Sequence, residues 1–406
     1  TFKRAVVSNQ VRVVYQQGPR GLIVDRNGTV LVDNTVTETI TLDRVTATRY
    51  PAVVGRLALL IGRPKGYVDA QLVNPRYSPY KPVPILTNVP METVVYLREH
   101  QAQFPGVQVQ LDTQRNYPFG VTASHVLGYV GTASAQDLQT HKGQGYKDGD
   151  NIGKSGVEGS YETQLRGNEG VTQLEVNASG QVIRTLKTTP AQPGNNLQLT
   201  IDLGLQQTVE SDLVNQMMAI RGTRDASNGN ALITAPYGAA VVMDPRNGQV
   251  LAMASYPTYS PSDFVGGISQ AKYAAYQGAN SLQNQATQGF FIPGSTFKLV
   301  TATAALNTGL WSRGQTFDDS TGFFTVPQCT GGQCSFKDDD SSAAGVLDIQ
   351  RALTISDDVF FYNLGYQFWI QRGHYGQTPI QDTASQYGFG QATRIPLPGE
   401  YSDDVD

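Results

Sequence analysis

A serine and a lysine three residues apart can supply a nucleophile and its base. A hydroxyl attacks a carbonyl only when a neighbouring group takes its proton, and lysine can do so once burial or nearby charge lowers its pKa from about 10.4. Pro293-Gly-Ser-Thr-Phe-Lys298 holds such a pair in Ser295 and Lys298. Pro293 and Gly294 break the preceding chain, while Leu299 to Leu306 reads as helical until Gly309. The spacing predicts both side chains on one face of the first helical turn. Free backbone N–H groups and the helix dipole there favour a developing oxyanion.

Ser-x-x-Lys alone is weak, because average composition yields on the order of one or two chance matches in a chain of this length. Ser78-Pro-Tyr-Lys81 sits in a Pro- and Tyr-rich loop, and Ser269-Gln-Ala-Lys272 opens a polar stretch with no turn before it. Neither has the context of Ser295. A second polar element lies in Ala352-Leu-Thr-Ile-Ser-Asp-Asp-Val-Phe-Phe-Tyr362, where Ser356 and Asp358 stand between apolar segments. Such a triplet can present side chains from a loop beside the first helix. The plainer reading is that Ser356 or Asp357 only caps a helix.

These residues must be held by a large protein. At 406 residues the chain suits two or three domains. Lys plus Arg number 30 against 34 Asp plus Glu, with no basic block to track a phosphate backbone, so nucleic acid is not an expected partner. A composition of 39% hydrophobic and only 16% charged residues, rich in Gly and Tyr, suits an exported protein. No apolar run approaches a membrane span, and because Thr1 is the first residue, an anchor upstream of it is expected. Cys329 and Cys334 flank Thr-Gly-Gly-Gln, which favours a small disulfide-closed loop; two free thiols are the alternative. A metal site would need more ligands, and only His374 follows, so neither metal nor cofactor is expected.

Two β-branched runs around Asn27-Gly28 predict a hairpin, and Ala239 to Ala254 repeats the design around Asn247-Gly248. Between them lies a Gly-, Tyr- and Pro-rich stretch with few clear helices, which implies irregular or β-rich packing. Pro190 to Asn196 reads as a domain boundary, giving residues 1–195 and 196–406. After it, Asp202 is an N-cap, and Leu205, Val209, Leu213, Met217 and Ile220 follow at helical spacing before Gly222. Helix, strand pair and further helices predict an α+β second domain, an antiparallel sheet flanked by helices.

The two polar elements together resemble the penicillin-binding proteins and serine β-lactamases, whose motifs are Ser-x-x-Lys, Ser-x-Asn and Lys-Thr-Gly. The chain is most similar to class B penicillin-binding proteins, monofunctional transpeptidases of the elongation type. The similarity runs through Arg20-Gly-Leu-Ile-Val-Asp-Arg-Asn-Gly28, Tyr117-Pro-Phe-Gly120, His125-Val-Leu-Gly-Tyr-Val-Gly131 and Gly153-Lys-Ser-Gly-Val-Glu158. It continues in Val241-Val-Met-Asp-Pro-Arg-Asn-Gly248, Leu251-Ala-Met-Ala-Ser-Tyr-Pro257 and Asp357-Asp-Val-Phe-Phe-Tyr362.

The resemblance implies a peptidoglycan D,D-transpeptidase that β-lactam antibiotics acylate. Ser295 would attack the penultimate D-Ala carbonyl of a stem peptide, with Lys298 as acylation base. Ser356 would relay a proton toward the leaving amine, and Asp358 would occupy the Asn position of the second motif and face substrate. A carboxylate there either points to substrate or pairs with Lys298, in which case substrate must shift the proton. Lys154-Ser-Gly156 precedes the nucleophile and is not the third motif, and no Lys follows Asp358, so the transpeptidase domain is expected to be incomplete. The resemblance also implies an elongated β-rich pedestal or dimerisation-type first domain and a place on the extracytoplasmic face of the cell membrane. Its implied partners are a membrane-embedded glycan polymerase and other wall-synthesis proteins. The competing readings are a class D β-lactamase and a non-catalytic penicillin-binding scaffold or β-lactam sensor.

Overall fold

A computed structural model describes residues 11–74, 82–147, 149–176, 182–225, 230–330, 333–338 and 342–400. It divides into two compact units, one of Thr1–Asn215, Pro236–Ala286 and Pro396–Pro398, the other of Gln216–Ala235, Thr287–Ile395 and Gly399–Asp406.

In the first unit, β1 (Ile23–Val24) and β2 (Val30–Leu42) form the hairpin expected around Asn27-Gly28. Gly28 takes φ +87°, which favours glycine, and Asp25 closes the turn by accepting from the N–H groups of Asn27 and Thr29, each at 2.8 Å. The long strand β2 also pairs antiparallel with β3 (Val83–Leu86) and β4 (Val107–Asn116).

Four helices pack with this sheet: α1 (Arg44–Arg49), α2 (Ala52–Leu60), α3 (Lys65–Val73) and α4 (Met91–Glu99). Their shared core contains Ile40, Leu42, Val53, Leu57, Val68 and Leu97. Composition shows few helices in this stretch, and the structure corrects that expectation. None of the four exceeds 9 residues, so none repeats its apolar face long enough to reveal a 3.6-residue period.

Deeper in this unit, Glu158 is fully buried between two guanidinium groups. It accepts from Arg20 Nη2 and from Arg115 Nε, both at 2.6 Å, while Arg20 also reaches Glu162 at 2.6 Å. The second hairpin is β5 (Gly238–Asp244) with β6 (Gln249–Tyr256). Helix α5 (Leu203–Ile220) begins where Asp202 accepts from Leu205 N–H at 3.0 Å. Buried Gln206 on α5 exchanges two 2.8 Å hydrogen bonds with the Met253 backbone and so ties the helix to β6.

The second unit packs α6 (Lys298–Thr308) with β7 (Thr316–Asp319), β8 (Phe323–Thr325), β9 (Ser335–Lys337) and β10 (Gly345–Asp348). Then follow α7 (Ile349–Ile355), α8 (Asp358–Ile370) and α9 (Pro379–Gln386). Ala304, Ala305, Trp311, Leu347, Phe360 and Leu364 form its core. Strands β7 and β10 pair antiparallel, and the chain between them returns as the β8–β9 hairpin, whose connection carries a Cys329–Cys334 disulfide.

Among the described residues no helix is long and apolar enough to cross a membrane, and no His, Cys, Asp and Glu cluster could hold a metal.

Candidate active site

Ser295 lies in the turn Gly294–Phe297, which is a 3-10 turn rather than the first turn of an α-helix; α6 proper starts at Lys298. A 3-10 turn has about three residues per revolution, so positions three apart eclipse and Ser295 and Lys298 face the same way. Gly294 enters the turn at φ +56°. Ser295 is exposed, and among the described residues its hydroxyl has no hydrogen-bond partner, so it is free to meet a ligand.

Lys298 is only 9% exposed, and its Nζ meets three oxygens among the described residues. It donates to the Ser356 carbonyl at 2.5 Å and to Ser356 Oγ at 3.1 Å, and it forms a 2.5 Å ion pair with Asp358 Oδ1. Of the two alternatives for Asp358, the structure therefore shows the pair with Lys298. The face of Phe361 lies 5.6 Å from the ammonium.

The oxygens around Lys298 come from one tight connection between α7 and α8. Ser356 closes α7 in the left-handed region at φ +62°, and Asp357 opens α8 by accepting from Phe360 N–H at 2.6 Å. The capping reading thus describes the Ser356 backbone and the Asp357 side chain, while the Ser356 hydroxyl still reaches Lys298. Asp357 is fully buried. Burial pushes its carboxyl up; the Phe360 N–H opposes this, and Asp319 and Asp338 add to it. Asp357 Oδ2 has no partner among the described residues.

Ser295, Lys298, Ser356 and Asp358 line one cavity of about 730 Å³, together with Asp338 and Ser342. Sequence reasoning did not find Asp338 or the burial of Asp357. Asp338 follows the disulfide loop in an acidic run, and no short-range spacing links it to Ser356.

The other lysine motifs have separate explanations. Lys154 pairs with Asp137 in the first unit. Ser269 caps the helix Gln270–Gly278, and Lys272 pairs with Asp263 at 2.6 Å. Ser78 and Lys81 lie outside the described residues.

An exposed serine and a buried lysine on one cavity, with a second serine bonded to that lysine, are the residue types from which a serine acyl-enzyme site is built. Two family descriptions match this chain: the penicillin-binding protein dimerisation domain at residues 15–199 and the penicillin-binding protein transpeptidase domain at residues 238–405. The chain belongs to the penicillin-binding proteins that join these two domains.

It is similar to the peptidoglycan D,D-transpeptidase MrdA of Salmonella typhimurium strain LT2, with 32% identity over 402 residues, covering 97% of this chain and 59% of the relative. MrdA of Escherichia coli K12 is likewise 32% identical, covering 97% of this chain and 58% of the relative. The chain thus spans less than two thirds of these relatives. A solved complex of the penicillin-binding protein PBP2 with MreC from Helicobacter pylori matches with TM-score 0.75 and 27% identity, covering 97% of this chain and 68% of that one.

Proposed function

We propose that this chain carries the acylation chemistry of a peptidoglycan D,D-transpeptidase. The observation that carries the reading is the convergence of Ser295, Lys298 and Ser356 on one cavity, with Ser356 Oγ 3.1 Å from Lys298 Nζ.

Ser295 Oγ attacks the carbonyl of the penultimate D-Ala of a stem peptide and gives its proton to Lys298. Lys298 starts as the ion-pair partner of Asp358, so a proton must pass from that pair to solvent as substrate binds, which leaves the amine neutral. Ser356 then passes a proton from Lys298 to the amine of the departing terminal D-Ala. The C–N bond breaks and an ester to Ser295 remains. An amine of a neighbouring stem peptide attacks this ester, forms the cross-link and returns the hydroxyl. β-Lactams acylate the same oxygen, and their ring opening leaves no departing amine to make room for an acceptor.

In this reading the division near residue 195 separates a pedestal from the transpeptidase domain, and the protein works on the extracytoplasmic face of the cell membrane. The Cys329–Cys334 disulfide supports that placement, because such bonds persist in oxidising compartments. A membrane-embedded glycan polymerase and other wall-synthesis proteins are the partners. Two similar structures support this, one a PBP2 complex with MreC and the other a peptidoglycan synthase complex that coordinates polymerization and crosslinking.

The test is the intact mass of the full-length protein after incubation with penicillin, beside Ser295→Ala. A stable adduct that the variant loses is expected. No adduct on folded protein, or an adduct retained by Ser295→Ala, refutes the assignment.

A further inference from the structure

We infer that Asp338 is a positioning residue of the acylation site, holding the Ser356–Asp358 turn in the geometry that Lys298 needs. The inference rests on the function proposed above and adds a residue to it. Among the described residues three oxygens meet Lys298 Nζ, and all belong to Ser356 or Asp358. Where these two residues sit is therefore where the lysine is held. Asp357 fixes the turn from within by capping Phe360 N–H. From outside the turn, Asp338 Oδ1 accepts the Asp358 N–H at 3.1 Å. This bond fixes the backbone of the residue whose carboxylate pairs with Lys298, and a charged acceptor makes it a strong one.

Asp338 is itself well anchored. It follows β9, and its N–H donates to the Gly322 carbonyl at 3.0 Å. The N–H of Gly322 donates to buried Asp319 at 2.8 Å, and the same carboxylate accepts from Ala344 N–H at 3.2 Å. Asp319 thus clamps both ends of the excursion that carries the hairpin. Asp338 leaves this clamp with its side chain on the turn and on the wall of the cavity that also holds Ser295. Residues distant in sequence are joined in a line: Asp319 to Gly322, Gly322 to Asp338, Asp338 to Asp358, Asp358 to Lys298. The competing account is a cap that satisfies one free N–H of α8 and has no bearing on the chemistry.

The two accounts differ in which variants lose acylation. Asparagine keeps an oxygen for the Asp358 N–H but carries no charge; alanine keeps neither. The experiment measures acylation of the full-length protein by a fluorescent penicillin, separating the non-covalent affinity from the rate constant of the covalent step, for wild type, Asp338→Ala and Asp338→Asn. Asp338→Ala should slow the covalent step about tenfold or more with the non-covalent affinity unchanged, and Asp338→Asn should recover it to within about threefold.

Wild-type protein that takes no label at Ser295 defeats the functional reading itself. If wild type is labelled, Asp338→Ala acylating at the wild-type rate overturns only the present inference. So does Asp338→Asn falling as far as Asp338→Ala, which would assign the effect to charge rather than to the hydrogen bond. A failure of Asp338→Ala to fold, seen by thermal unfolding, would make the residue structural and overturn the inference equally.

Discussion

Ser356 combines a hydroxyl 3.1 Å from Lys298 Nζ with a backbone at φ +62°, and two substitutions separate these properties. Ser356→Ala and Ser356→Gly both remove Oγ. Both keep the main-chain carbonyl that accepts from Lys298 at 2.5 Å, so the lysine retains that anchor in either variant. If Ser356 relays a proton, acylation by a fluorescent penicillin should fall by about 10² to 10⁴ in both, the usual range for a positioned acid–base group.

Stability should move differently. A residue with a Cβ is disfavoured in the left-handed region by roughly 1–2 kcal/mol, and glycine is not. Ser356→Gly should therefore be more stable than Ser356→Ala by about 1 kcal/mol, or roughly 2–4 °C in Tm. The assay pairs the acylation rate with a thermal melt of each variant. Either variant acylating within about threefold of wild type would refute the relay, since both lack the hydroxyl. Equal melting of the two variants would refute the strain.

Two further outcomes follow from the first unit. Glu158→Gln leaves Arg115, whose side chain is 2% exposed, without its carboxylate, and urea unfolding should show a loss of about 3–5 kcal/mol; a loss below about 1 kcal/mol would refute the buried pair. Replacing the pair together, Arg115→Met with Glu158→Leu, should recover part of that loss. Burial lowers the His125 pKa to about 4, against the opposing bond to the Ser281 carbonyl. The unfolded chain takes this proton near pH 6.5 and the folded chain only near 4, so stability falls as pH drops through that window, by on the order of 3 kcal/mol. His125→Gln should flatten the pH dependence of Tm there, and an unchanged slope would count against the buried neutral imidazole.

What the sequence reveals depends on how far apart the interacting residues lie. The turns at Asn27-Gly28 and Asn247-Gly248 and the start of α5 after Asp202 are local signals, and the structure has a hairpin or helix at each. Ser295 and Lys298 are likewise only three residues apart, across the junction of the 3-10 turn and α6, so their spacing alone predicts that they share a face. Helices α1 to α4 escape because each contributes only a few residues to a core completed by strands elsewhere. The Arg20–Glu158 contact joins residues 138 apart, and neither side chain carries a local mark of its partner. Asp338 is hidden for the same reason, since only the β8–β9 excursion returns it to the turn at Ser356.

The residue at 356 shows which requirement prevails in this site. Backbone geometry alone would select glycine there, because φ +62° disfavours any side chain with a Cβ. The chain instead keeps a serine and stabilises the strained connection around it. Asp357 N–H donates to Ala352 O at 3.0 Å, Asp357 caps Phe360, and Asp338 takes the Asp358 N–H. Each such bond contributes on the order of 1 kcal/mol, so the three together offset a penalty of roughly 1–2 kcal/mol. The strain is therefore absorbed by the folded protein before any ligand arrives, and the hydroxyl meets Lys298 already in place.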